Sequence, residues 1–253
     1  MRLTSLTLVA VLVAACRRDA SSEQDPNVDP RTRGRLRFVV QTTGGAPADA
    51  RLPLVVALHG VGDTPEAFAQ LVIPTGLRVR LAAPAGPRVQ GRGFGWFPLR
   101  SLLTDARWGE YIAEAAAVVA PEIARLAQVY PTCGRPLVTG FAQGAMVAFA
   151  LAARPDAVIG GAFPIAGELP PSLWPGARAD AGALPVVEVF QGLEDRRVRA
   201  DNARATWEAF HAAGYPGEFH GFAGLSHAVS TDENQALREA LAATLRAQGC
   251  PAE

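Results

Sequence analysis

From residue 35 onward the chain alternates short apolar runs with longer segments of helical period. LPLVVALHG (52–60) is continuously apolar, as strands covered on both faces of a sheet are. RVRLAAPAG (78–86), PLVTGF (136–141), AVIGGAFPIAG (157–167), LPVVEVFQG (184–192) and GEFHGF (217–222) repeat that character, and RLRFVVQ (35–41) reads as an edge strand. Between them lie helix candidates: PEAFAQLV (65–72), WGEYIAEAAAVVAPEIARLAQVY (108–130), AMVAFALAARP (145–155), RADNARATWEAFHAAGY (199–215) and ENQALREALAATLRAQG (233–249). Strands separated by helices of this length predict an α/β architecture: a mostly parallel central sheet with helices on both faces. No internal repeat breaks the pattern, so residues 35–253 are expected to form one domain.

The pattern before residue 35 is of another kind. Arg2 precedes an apolar run over 3–15, too short for a membrane span of about 20 residues but of the length of a secretory signal peptide. The run closes on Val13-Ala14-Ala15-Cys16, which resembles a bacterial lipobox, with Cys16 as the lipidated first residue of the mature chain. An ordinary signal peptide with an incidental cysteine is the other reading. Residues 16–34 are polar and Pro-containing, the composition of a flexible tether. The expectation is an exported lipoprotein of the bacterial cell envelope that meets the membrane only through its anchor.

Composition narrows the function classes. The hydrophobic fraction of 49% and charged fraction of 19% suit a globular protein, and 24 basic against 24 acidic residues leave no net charge. Without clustered positive charge there is no nucleic-acid footprint. With Cys16 lipidated, Cys133 and Cys250 remain. One precedes a predicted strand and the other follows the last predicted helix, which places both at the sheet end away from the strand C-termini. A disulfide or two free thiols fit equally.

Chemistry concentrates in four motifs. Gly140-Phe141-Ala142-Gln143-Gly144 lies between a strand and a helix, the setting of a nucleophile elbow, whose neighbours must be small. Leu58-His59-Gly60-Val61-Gly62-Asp63 follows an early strand. Gln191-Gly192-Leu193-Glu194-Asp195-Arg196-Arg197-Val198 and Gly224-Leu225-Ser226-His227 follow later strands, in the order nucleophile, acid, histidine. GFAQGA differs by one residue from GFSQGA, the elbow typical of the phospholipase/carboxylesterase family, which includes acyl-protein thioesterases. LHGVGD resembles that family's LHGxGD, and the 192–198 segment resembles its GxxDxxV. Gly95-Trp96-Phe97 is similar to its WF(D) signature, with Pro98 in place of the acid.

The resemblance covers about residues 35–248 and implies an α/β-hydrolase fold. It implies Asp195 as orienting acid, with Glu194 its competitor. It implies an oxyanion hole from the backbone N–H groups of Val61 and Gln143, with His59 supporting the loop. His227 is the base by motif and by elimination, since His211 lies on a predicted helix and His220 inside a predicted strand. The nucleophile position is held by Ala142, whose methyl group no neighbour can activate.

Three readings follow: a catalytically impaired homologue that binds acyl or ester ligands, an active serine esterase whose Ser has been replaced, or a weak hydrolase using water, Thr139, Ser226 or Cys133. The N-terminal leader, which a chain prepared for trapping would usually lack, favours the first. Segments 88–104 and 167–182, with Trp96, Phe97 and Trp174, are expected to shape the pocket, ordinary packing being the alternative for these aromatics. No metal-ligand spacing or dinucleotide fingerprint is present, so no cofactor is expected. A monomer with a small acyl or ester ligand is the expectation for partners.

Overall fold

A computed structural model describes residues 35–72, 76–176 and 184–250. The leader, Cys16 and the tether lie outside the described residues. Ten strands and five α-helices follow one another: β1 (Phe38–Thr42), β2 (Leu52–Leu58), α1 (Pro65–Leu71), β3 (Arg80–Pro84), β4 (Arg88–Gln90), β5 (Gly93–Gly95), α2 (Asp105–Val129), β6 (Thr132–Phe141), α3 (Gln143–Ala153), β7 (Gly161–Ile165), β8 (Val186–Val187), β9 (Val189–Gly192), α4 (Ala200–Ala212), β10 (Phe219–Phe222) and α5 (Thr231–Ala247) among the described residues.

The main sheet runs β1-β3-β2-β6-β7-β9-β10, with β8 beside β7. β1 is antiparallel to β3 and the other pairings are parallel. β2 shows why its sequence is apolar throughout: Leu54, Val56 and Leu58 enter the core on one face, and Val55 and Ala57 enter the core on the other. The first core is completed by Ile112, Val119 and Ile123 of α2, Val147 and Leu151 of α3 and Phe210 of α4. Phe68 of α1 and Leu237, Leu241 and Leu245 of α5 complete the second. α3 is buried on every side from Gln143 to Ala152, which explains an apolar sequence with no polar stripe.

Helix starts follow local chemistry. Thr64, Thr104 and Ser230 cap α1, α2 and α5, each side chain accepting an N–H of the first turn. Within 88–104, for which no strand is expected from the sequence, the structure places the short β4–β5 hairpin. Three-residue strands joined by a Gln-Gly-Arg-Gly turn are too short to show an alternation. Cys133, at the start of β6, and Cys250, past α5, are joined by a disulfide with Cα atoms 5.9 Å apart. It closes the end of the sheet opposite the strand C-termini.

Candidate active site

The parallel strands deliver their C-terminal loops to one edge, and the chemistry collects there. β6 ends at Phe141, α3 begins at Gln143, and the turn between them is the single residue Ala142, with φ 51° and ψ −110°. A non-glycine residue in such a conformation costs about 1–3 kcal/mol and persists only where its surroundings impose it. The Ala142 N–H donates to the Ile165 carbonyl (3.0 Å), and the Ala142 carbonyl accepts from the Met146 N–H (3.1 Å). A Cβ on Gly144 would lie 1.9 Å from the Leu58 carbonyl oxygen, and one on Gly140 2.4 Å from that of Gly144. Both glycines are therefore steric requirements of the elbow.

The loop after β2 stands against this turn. His59 is buried; its Nε2 accepts the Gly86 N–H (2.9 Å), so the proton sits on Nδ1 and is donated to the Gly60 carbonyl (2.7 Å). Burial lowers the pKa of His59 below the usual 6.5 and keeps it neutral. The Gln143 side chain accepts from the Trp96 N–H (2.9 Å) and donates to the Phe97 carbonyl (3.0 Å), while the Trp96 indole N–H donates to the His59 carbonyl (2.8 Å). This corrects the expectation for Trp96 and Phe97. Both are buried and absent from the walls of the cleft; they brace the loops beneath it. Their rings fill the first core because the backbone bonds of residues 96 and 97 to Gln143 turn that segment inward. The N–H groups of Val61 and Gln143 donate to no protein acceptor among the described residues.

The third part comes from the loops after β9 and β10. His227 Nδ1 lies 2.7 Å from Asp195 Oδ2. Asp195 is buried, and its Oδ1 accepts the N–H groups of Arg197 (2.7 Å) and Val198 (3.1 Å). These bonds orient the carboxylate and leave it acceptor-only, so it holds the imidazole as the Nδ1–H tautomer. Glu194 is instead exposed on the cleft wall. The other histidines are occupied elsewhere: His220 with Glu188 (3.0 Å), and His211 stacked on Trp207. Thr139 is buried and donates to the Phe163 carbonyl (2.9 Å), and Cys133 has no free thiol. Ser226 is exposed on the cleft wall beside His227.

Two further carboxyls escape the sequence reading. Glu168 is half-buried, and desolvation by burial raises its pKa. Glu233, on the first turn of α5, is fully buried, and neither of its carboxyl oxygens has a hydrogen-bond partner. Desolvation, with a smaller contribution from the negative charge of Asp195, pushes Glu233 up to about 7. The pattern Ser230-Thr231-Asp232-Glu233 carries the signal of a capping box, which announces the helix start but not the burial.

Val61, Ala142, Leu193, Arg196, Ser226 and His227 are among the walls of one cleft of about 1320 Å³. The elbow tip, Val61 with its unpaired N–H and a histidine–aspartate pair on one cleft can polarise and hold a carbonyl compound. Among the described residues, no group of three His, Cys, Asp or Glu side chains is placed to hold a metal ion.

Comparison with known proteins identifies the family and the fold. The model of the family described as Phospholipase/Carboxylesterase matches residues 44–245. No curated protein matches the chain. Among solved structures, esterase PE8 is 20% identical with a TM-score of 0.69, over 82% of this chain and 98% of that one. A Bacillus cereus carboxylesterase is 15% identical with a TM-score of 0.66, over 85% and 97%. Acyl-protein thioesterase 2 of Zea mays is 21% identical with a TM-score of 0.63, over 84% and 100%. At these identities the likeness is one of fold, the α/β-hydrolase fold.

Proposed function

The chain belongs to the phospholipase/carboxylesterase family, and from that premise we propose that it is a catalytically impaired hydrolase homologue that binds an acyl or ester ligand without turning it over. The observation that carries this reading is Ala142, held at φ 51° on the tip of the elbow, in the same cleft as the paired His227 and Asp195. In a serine site the histidine takes the hydroxyl proton, the acid stabilises the imidazolium, and two backbone N–H groups hold the oxyanion. A methyl group has neither a proton to give nor a lone pair with which to attack. Removing a triad nucleophile costs about 10⁶-fold in turnover and leaves about 10³-fold over water from binding and the oxyanion hole.

The test compares the protein with Ala142→Ser on short-chain aryl esters. Near-background turnover is expected from the first and at least about 10³-fold more from the second. Fluorophosphonate should label only the serine variant. Ser226 on the cleft wall supports a second reading, weak hydrolysis through its hydroxyl. Strong turnover by the unsubstituted protein, abolished by Ser226→Ala, would replace the first reading with the second.

The same proposal includes export and anchoring through acyl chains on Cys16. It rests on the apolar run and lipobox-like end of the leader. In a bacterial host, labelled palmitate should enter the protein and not Cys16→Ala; equal labelling of the two would remove the anchor.

A further inference from the structure

Along β9 the side chains alternate between the two cores. Val189 packs in the first and Phe190 in the second, so Gln191 turns back toward the first, where Val198 also lies. An amide in such surroundings is costly unless it is hydrogen-bonded. Gln191 is fully buried, and its Nε2 donates to the carbonyls of Gly192 (2.9 Å) and Val198 (3.1 Å). Both partners are acceptors only, which fixes the nitrogen on that side of the amide. Its Oε1 has no partner among the described residues. A methionine would fill similar space without an orphaned acceptor, so the amide is explained by what its nitrogen holds.

What it holds is the loop of Asp195. Gly192 ends β9 and Arg199 is the N-cap of α4, so the two carbonyls stand at opposite ends of the connection and one nitrogen ties them. The Val198 carbonyl accepts no backbone N–H among the described residues. From Val198 the contacts run on to the imidazole. The Val198 N–H donates to Asp195 Oδ1 (3.1 Å), and Asp195 Oδ2 meets His227 Nδ1 (2.7 Å). The Gly192 carbonyl also accepts the Asp195 N–H (3.3 Å). Outward, the N–H groups of Leu193 and Glu194 donate to the carbonyls of Phe222 (2.9 Å) and Leu225 (3.0 Å), on the segment that leads to His227.

We propose that Gln191 is a positioning residue. Its amide sets the span of residues 192–198, so that Asp195 presents Oδ2 to His227 and holds the imidazole as the Nδ1–H tautomer. Gln191 acts from beneath and is not among the cleft walls. Without its two donors the ends of the loop separate, the Val198 N–H draws away from Oδ1, and the carboxylate turns. The imidazole is then free to carry its proton on Nε2. The consequence for turnover rests on the reading of the cleft as a hydrolase site without its nucleophile; the consequence for the tautomer does not.

¹⁵N NMR of histidine-labelled protein at alkaline pH reads the tautomer directly. His227 should be Nδ1–H in the unsubstituted protein and a mixture of tautomers in Gln191→Met, which keeps the length of the side chain and removes its donors. Cys133→Ser/Cys250→Ser is the control: it weakens the fold from the far end of the sheet and should leave the tautomer unchanged. In an Ala142→Ser background, Gln191→Met should lower kcat by about 10²-fold with little change in KM. A tautomer retained in Gln191→Met, or lost equally in the cysteine control, overturns the proposal. If Gln191→Met does not fold, scalar couplings from Gln191 Nε2 to the Gly192 and Val198 carbonyl carbons, measured in the unsubstituted protein, decide. Their presence supports the clamp, and their absence overturns it. An inactive Ala142→Ser protein whose tautomer still responds to residue 191 keeps the positioning role and removes the hydrolase reading. An active one indifferent to residue 191 does the reverse.

Discussion

Replacing Glu233 with Gln should stabilise the protein at neutral and alkaline pH and do little in acid. Glu233 is fully buried, its carboxyl oxygens have no hydrogen-bond partner, and burial raises its pKa from the ordinary 4.5 to about 7. The folded protein therefore holds this proton more tightly than the unfolded chain does. Its contribution to folding is complete below pH 4.5, declines as the pH rises, and is lost once the pH passes about 7. At about 1.4 kcal/mol per pH unit, that displacement amounts to about 3 kcal/mol.

Glutamine has the shape of the neutral acid and cannot ionise. At pH 5 the two proteins should agree within about 1 kcal/mol, and by pH 8–9 the variant should lead by about 3 kcal/mol. In a chain of this size that corresponds to roughly 6–12 °C in melting temperature. Urea unfolding from pH 5 to 9, with the disulfide intact, measures the difference directly. Glu168 tilts both curves in the same sense, so the gap between them, not the slope of either, is the readout. Parallel curves across that range would refute the reasoning, since they would mean that Glu233 is solvated or paired.

Two other perturbations probe the frame of the site. His59 is held below its ordinary 6.5 by burial, so the folded protein resists its protonation and stability should fall as the pH drops below 6.5. Protonation takes the Nε2 lone pair from the Gly86 N–H; His59→Gln should cost about 1–3 kcal/mol at pH 8 and show a shallower acid limb in melting curves. The disulfide between Cys133 and Cys250 spans 117 residues, and its loss should cost about 2–5 kcal/mol. Thermal melts of Cys133→Ser/Cys250→Ser should drop accordingly. Aryl-ester turnover by an Ala142→Ser background should remain, because the bridge closes the sheet end opposite the cleft.

Much of the fold is legible in the chain because its signals are local. Each strand of the main sheet coincides with an apolar run, and each of the five α-helices with a helical period, α2 running on through Pro121 as that period implies. The parallel sheet follows from strand–helix alternation, and the family match bears out the α/β-hydrolase fold. The elbow is legible because residues 140–144 must meet the steric limits of one tight turn. Asp195 and His227 are legible only through the resemblance. Nothing in their local sequence shows that loops 32 residues apart bring their side chains to 2.7 Å.

The amino-acid sequence by itself determined the order of elements, the tight turn at residues 140–144 and the methyl group at its tip. Each of these is settled by spacing within a few residues. Tertiary structure alone decided that Trp96 and Phe97 brace the floor instead of lining the cleft, that Asp195 and not Glu194 meets the imidazole, and that Glu233 is deprived of water. Burial and the meeting of distant loops depend on which surfaces the packed layers cover, and no local pattern of residues carries that information.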